Sequence, residues 1–239
     1  HMFWRYLDPK NAAYRREVPD AHRHAIRALY QKNDALVGEV LKTLQPRDLL
    51  MVISDHGFSS FRRGVNLNAW LQREGYLALK DGTDGSTEWL RDVDWTKTKA
   101  YCLGLSGMFL TLQGREQGGI VAPGAEAAAV KAEIVAKLAG LRDVEGDDIG
   151  VREAFDTAVI YNGPYRENAP DLIIGYNAGY RTSWDCATGM VSGPVFEDNT
   201  KAWSGDHCID PRLVPGVVFC NRRIEETRDL SIVDIAPTA

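Results

Sequence analysis

The pattern of apolar and polar residues predicts a long helix followed by a buried strand near the start of the chain. Apolar residues recur at helical spacing from Ile26 to Leu44, and Asp20 is placed to cap an amphipathic helix of about five turns. Residues 45–48 (QPRD) break the pattern, and the apolar run 49–54 (LLMVIS) then predicts a strand buried on both faces. A helix leading into such a strand is typical of parallel sheets.

Shorter elements are predicted further along the chain. Asn66 can cap a short helix over residues 67–74, which Gly75 ends. The alanine-rich stretch 125–138 favours a second good helix. Short apolar and β-branched runs indicate strands at residues 76–79, 101–103, 108–112, 158–161 and 172–176, and the polar stretch 81–98 indicates a loop.

Candidate chemistry follows the first predicted strand directly, at Asp55 and His56. Ligands of open α/β sheets bind beyond the carboxyl ends of strands. A carboxylate beside an imidazole suits zinc or manganese, and Gly57 lets the backbone turn away from such an ion. An isolated Asp-His pair is also common as loop or cap chemistry, so this pair alone leaves both interpretations open.

A second histidine-bearing loop supports the metal interpretation. His207 ends the segment WSGDH and precedes the apolar run 214–219 (VPGVVF), which predicts another strand. Two such loops can meet at one edge of a sheet. We therefore predict an α/β core over residues 1–80 and 201–239, with a mostly parallel sheet flanked by helices, and a small α+β cap inserted over residues 81–200.

Composition narrows the class of protein. The 239 residues carry a formal net charge of −5 without a basic stripe, which argues against binding of a nucleic-acid duplex. No apolar run reaches the roughly 18 residues of a membrane span. The four cysteines lack metal-knuckle spacing, so we predict reduced structural thiols; Cys208 lies beside His207 but is expected to point away from a metal there. The compartment stays open, with the cytoplasm slightly favoured.

Several segments together resemble one family. The segments VISDHGF, GVNLNAWL, GPYRENAPDLIIGYNAGY, WSGDHCIDPRLVPGVVFCNR and DIAPT occur in this order. They resemble the type I phosphodiesterase / nucleotide pyrophosphatase family, a branch of the alkaline phosphatase superfamily. The resemblance implies an alkaline phosphatase-like α/β core, two divalent metal ions, typically zinc with manganese as an alternative, and a small phosphate-ester or nucleotide substrate.

The resemblance also assigns roles to individual residues. Asp55 and His56 match the tandem pair that holds the metal on the nucleophile side, and His207 matches the late histidine of the other metal. His1 begins a segment, HMFWR, that resembles the one opening with the histidine of an Asp-His pair four residues apart. The first two letters, HM, also match a cloning scar, so both origins of His1 stay open.

The family's Ser or Thr nucleophile and its first metal-binding Asp have no match in this chain. Ser54, Ser59 and Ser60 lie near Asp55, but no sequence feature activates them. We therefore expect the chain to be the C-terminal part of a catalytic domain, with its nucleophile outside these residues. Hydrolysis of phosphomonoesters or sulfate esters stays an alternative. A non-catalytic metal-binding fragment is a further alternative for this chain alone.

Other polar residues have two interpretations each. The arginines Arg62, Arg63 and Arg181 could bind phosphate oxygens or serve the scaffold, and Tyr176 and Tyr180 could face the substrate or pack in the core. Asp206, next to His207, could orient the imidazole or cap a turn.

Overall fold

The computed structural model describes residues 1–225 and 229–238 and has a mixed α/β fold. The α-helices are α1 (Asp20–Arg23), α2 (Ala25–Thr43), α3 (Leu67–Arg73), α4 (Ala125–Leu138), α5 (Thr157–Ile160), α6 (Trp184–Ala187) and α7 (Ile235–Thr238). The strands are β1 (Met51–Ile53), β2 (Ser59–Val65), β3 (Ala100–Leu103), β4 (Gly107–Leu110), β5 (Leu141–Asp143), β6 (Asp148–Asp156), β7 (Leu172–Tyr176), β8 (Gly179–Thr182), β9 (Phe196–Asp198), β10 (Gly205–Asp206) and β11 (Val218–Cys220).

The strands form three sheets within the described residues. The largest has the order β3-β4-β7-β6-β5, a second is built around β2 with β8, β9 and β10, and β1 pairs with β11. Among the named strands of the described chain, only β2 and β8 run parallel.

The expectation of a mostly parallel sheet is not confirmed, because most strand pairs are antiparallel. Strands β3 and β4 are joined by residues 104–106 alone, and β5 and β6 by residues 144–147. Connections this short fit only hairpins, since parallel neighbours need a crossover of about a dozen residues or more. The hairpins at Gly104 and at residues 144–147 therefore fix the direction of their strands.

The strand predicted over residues 49–54 forms, but it is not buried on both faces. It is reduced to β1, whose register pairs Met51 with Cys220 and Ile53 with Val218. Ile53 is 45% exposed, and α2, which precedes the strand, contributes no buried residue. The apolar run therefore has one strand partner in the described chain, and the preceding helix buries no residue against it.

Local predictions were confirmed at α3 and α4, but the predicted Asp20 cap is wrong. Asp20 is the first residue of the short α1, which has Pro19 as its N-cap, and α2 begins at Ala25 without a side-chain cap hydrogen bond. The Asn66 side chain accepts a hydrogen bond from the Ala69 amide (3.1 Å) and begins α3, and α4 has the predicted bounds. The strand predicted at residues 158–161 is wrong: Asp156 caps α5 there by accepting from the Ala158 amide. Residues 76–79 form no strand; only Leu79 makes an isolated bridge.

The hydrophobic core connects α3, α4 and the five-stranded sheet. Trp70 and Leu71 of α3 are buried with Ile134 and Leu138 of α4 and with Met108 of β4.

All strands of the largest sheet lie within the predicted cap, residues 81–200, whereas β8 and β9 from the same range join β2. The boundary between core and cap stays a prediction. In the described residues, no helix combines the length and apolar character needed to cross a membrane.

Candidate functional site

Strand β2 brings the two histidine-bearing loops together. Its antiparallel register with β10 pairs Ser59 with Asp206, so the residues just beyond this pair, on the side of His56 and His207, lie next to each other. The His56 and His207 rings stack with centroids 3.6 Å apart and planes 9° apart. The Gly57 amide donates to the Val214 carbonyl (2.8 Å), and this hydrogen bond connects the loop of His56 to the segment that follows His207. Two residues far apart in sequence thus share one site.

The Asp55–His56 turn presents ligand atoms outward. The Asp55 side chain is 73% exposed, and its Oδ2 lies 3.4 Å from Nε2 of His56. Nδ1 of His56 lies 2.7 Å from the Gly57 carbonyl oxygen. Because a carbonyl only accepts, Nδ1 donates this hydrogen bond, and in the neutral imidazole Nε2 is then the nitrogen with the lone pair. This arrangement leaves Nε2 available to a metal.

His1 lies at the same site and is oriented in the same way. Its Nδ1 is 2.7 Å from the Gly205 carbonyl oxygen, so in the neutral ring Nε2 is again the nitrogen with the lone pair. Its ring stacks on Trp203 (centroids 3.9 Å) and meets the edge of Phe58 at 4.6 Å. The rings of His1 and His207 have centroids 5.9 Å apart.

Asp206 acts on the His207 loop through its backbone amides. Its Oδ1 accepts from the amides of His207 (2.8 Å) and Cys208 (3.2 Å), and its Oδ2 accepts from Nε of Arg181 (2.6 Å) and Nε1 of Trp203 (2.9 Å). Burial acts to raise the pKa of Asp206, but these hydrogen bonds and the Arg181 charge outweigh it and lower that pKa to about 2. The carboxylate therefore fits the turn-capping interpretation.

The ligand atoms of Asp206, His207 and Cys208 lie within 4.8 Å of one another. As a metal triad they fit poorly. The four donors to Asp206 occupy its lone-pair directions. Burial, followed by the Asp206 charge, raises the pKa of the Cys208 thiol to about 11, so the thiolate that metals bind is disfavoured. His207 is left as the best ligand of the three.

The arginines considered for phosphate binding are all paired with carboxylates. Arg62 binds Asp8, Arg63 binds Asp143, Glu145 and Asp198, and Arg181 binds Asp206. Arg181 is also 1% exposed, so it belongs to the scaffold.

The two tyrosines belong to the core. The Tyr176 hydroxyl lies 2.7 Å from Oγ1 of Thr182, and the Tyr180 hydroxyl donates to Asp143 (3.2 Å). Burial, with the Asp143 charge added, raises the pKa of Tyr180 to about 12.

Serines near the Asp-His turn lack the partners of a nucleophile. Oγ of Ser54 accepts from the Val217 amide (2.9 Å), and Ser60 is 8% exposed within β2. Neither serine forms a hydrogen bond with a histidine among the described residues, so the usual base of a serine nucleophile is not beside them.

A cavity of about 870 Å³ adjoins the site. Asp55, His56 and His207 line it together with apolar side chains of β1 and β11. The histidines are thus open to a molecule of substrate size.

Sequence reasoning did not anticipate the contacts of Trp203, Phe58 and Arg181. Trp203 stands in the WSGDH segment, but no spacing rule links a tryptophan to the histidine at the start of the chain. Similarly, no local pattern joins Arg181 to Asp206, because β2 lies between their strands.

Comparison with known proteins settles the family. A family model described as type I phosphodiesterase / nucleotide pyrophosphatase matches residues 6–199. The chain belongs to this family. The match includes Asp55 and His56 and excludes His1 and His207. Membership implies a hydrolase of the phosphodiesterase or pyrophosphatase type within the alkaline phosphatase superfamily. A comparison with curated proteins found no match.

Proposed function

We propose that this type I phosphodiesterase-family chain is part of a metal-dependent hydrolase of phosphodiester or nucleotide pyrophosphate bonds that uses a two-metal site. One observation carries the proposal: His56 and His207 come from distant loops and stack at 3.6 Å, with Asp55 beside them. Distant imidazoles and a carboxylate that converge at a cavity are typical of a metal centre.

In this proposal Asp55 and His56 hold one metal ion, and His207 and His1 hold the other. The orientation of His56 and His1 supports the assignment, because each donates from Nδ1 to a backbone carbonyl, which makes Nε2 the lone-pair nitrogen of the neutral ring. A hydrogen bond of this kind fixes the tautomer and the ring orientation of metal-ligating histidines. The ions are zinc or manganese, since both accept nitrogen and oxygen ligands.

Bound divalent ions would neutralise charge on the phosphoryl oxygens and lower the pKa of a nucleophilic hydroxyl. The chain's own residues position these ions and admit the substrate through the cavity of about 870 Å³. We place the Ser or Thr nucleophile outside these residues, because Ser54 and Ser60 are engaged or buried. The substrate is a small phosphate ester or a nucleotide, and the net charge of −5 fits no nucleic-acid duplex.

A second candidate is that the chain alone is a non-catalytic metal-binding fragment. The three arginines considered for phosphate binding favour it, since Arg62, Arg63 and Arg181 are each paired with a carboxylate. Under this proposal the 239 residues take up zinc but turn over no ester.

Hydrolysis assays separate these functions. A bis-aryl phosphodiester, an aryl phosphomonoester and an aryl sulfate are supplied with zinc or manganese to the chain and to a longer version that includes the nucleophile. We expect metal-dependent turnover of the diester by the longer version only, abolished in Asp55→Ala. Undiminished turnover in Asp55→Ala would sink the two-metal mechanism, and preferred turnover of the monoester or the sulfate would reassign the reaction.

A further inference from the structure

We propose that Arg181 is a positioning residue for the metal site: it holds Asp206, and Asp206 in turn fixes both the loop of His207 and the ring against which His1 stacks. The metal part of this inference rests on the proposed function, whereas the positioning of the loop is independent of it.

Arg181 and Asp206 form a buried ion pair between two strands. The side chains are 1% and 5% exposed, and Nε of Arg181 lies 2.6 Å from Oδ2 of Asp206. The central carbon of the guanidinium lies over the rings of Phe61 and Trp184, 4.4 Å from each centroid. Contact with two aromatic rings suits a guanidinium better than an ammonium group. Arg181 is therefore held in one orientation, with no route to a substrate.

Asp206, held by Arg181, in turn fixes the backbone at His207. The carboxylate accepts from the His207 amide at 2.8 Å and from the Cys208 amide at 3.2 Å. These two bonds set the backbone direction at the residue whose imidazole stacks on His56. Without Arg181, Asp206 would be a buried charge lacking its counter-ion, and it would gain by moving toward water. The backbone of His207 would move with it.

The same carboxylate reaches His1 through Trp203. Oδ2 of Asp206 accepts from Nε1 of Trp203 at 2.9 Å, and the Trp203 ring stacks on His1 with centroids 3.9 Å apart. One ion pair thus supports the two histidines that we assign to the same metal ion. Supporting groups of this kind commonly change metal affinity by about 10- to 100-fold when they are removed.

Zinc titration of the purified chain, with a competing chromophoric chelator, tests the inference in the variants Arg181→Gln and Arg181→Lys. Arg63→Gln is the matched control, because it removes a guanidinium from another ion-paired cluster on the neighbouring strand β2, with Asp143 2% exposed. We expect zinc affinity to fall about tenfold or more in Arg181→Gln and to stay unchanged in Arg63→Gln, although both variants lose thermal stability. Arg181→Lys should recover part of the stability but little of the zinc affinity.

A double-mutant cycle tests whether Arg181 acts through Asp206. If it does, Arg181→Gln combined with Asp206→Asn weakens zinc binding no more than the stronger single variant, whereas independent roles would multiply the two effects. Equal zinc affinity of folded Arg181→Gln and the wild type would overturn the inference.

Amide hydrogen exchange in metal-free protein supplies a second readout. We expect the His207 and Cys208 amides to exchange at least about tenfold faster in Arg181→Lys than in the wild type or Arg63→Gln, because their acceptor loses its fixed position. Unchanged exchange would refute the positioning role. If the wild type binds no zinc but exchange rises as expected, the positioning role stands and the proposed metal function fails.

Discussion

Replacing Gly57 with alanine tests whether the Asp55–His56 turn is held by direct backbone contact with the second loop. A Cβ at Gly57 would lie 2.9 Å from the carbonyl oxygen of Pro215 and 3.2 Å from the carbonyl carbon of Val214. Both neighbours are backbone atoms, so relief requires that one loop move and that the hydrogen bond from Gly57 to Val214 (2.8 Å) lengthen. Overpacking of this kind costs about 1–3 kcal/mol.

The matched control is Gly38→Ala in α2. A Cβ at Gly38 has nothing within 4 Å, and alanine favours a helix over glycine by about 0.5–1 kcal/mol. The same substitution should therefore destabilise at Gly57 and stabilise at Gly38, with Tm shifts of about 2–4 °C per kcal/mol for a protein of this size.

Thermal and urea unfolding measure both effects, and zinc titration of Gly57→Ala reports on the turn. We expect weaker zinc binding in Gly57→Ala and none of this loss in Gly38→Ala. A Gly57→Ala variant as stable as the wild type, with equal zinc affinity, would refute the contact argument.

Two further predictions concern the scaffold. Asn66→Ala removes the cap that accepts from the Ala69 amide and the hydrogen bond that Asn66 donates to the Ser192 carbonyl (3.0 Å). It should lower the free energy of unfolding by at least about 1 kcal/mol, as measured by urea unfolding. Asn168→Ala, at an exposed position, should not, and equal stabilities of the two variants would contradict the role of Asn66. Hydrogen bonds from Arg212 lower the pKa of Asp210 below 3.8 despite its burial. The ionised carboxylate therefore stabilises the folded protein fully above pH 3.8, and this contribution is lost as the pH falls through the lowered pKa of the folded state. The free energy of unfolding of Asp210→Asn should therefore fall less than that of the wild type between pH 5 and about pH 2. An identical fall in the two proteins would show that Asp210 does not contribute to the loss of stability in acid.

Short-range chemistry made parts of the fold predictable from sequence. Asn66 and the alanine-rich stretch of α4 act on residues within one or two turns, so their outcome depends little on the rest of the chain. The same logic explains the error at residues 158–161. The apolar residues there suggested a strand, but Asp156 is the N-cap of a helix and accepts from the Ala158 amide two residues later.

Long-range features were harder to predict. The apolar run at residues 49–54 correctly indicated a strand, but not its neighbours, because the number and direction of partners depend on distant segments such as β11. The expected convergence of His56 and His207 matches the geometry. The Arg181–Asp206 pair that supports this site was not predicted, because pairing across strands leaves no periodic signal.

The most direct test of the account is the metal content per chain, measured by elemental analysis after zinc loading and removal of free metal. We predict bound zinc in the wild type and in the control His24→Ala, whose ring is exposed and bonds to the carbonyl of Asp20. We predict a clear fall in His207→Ala, because that variant removes one of the two stacked imidazoles. A wild type that takes up no zinc, or a His207→Ala variant that retains as much as the control, would contradict the proposed metal centre.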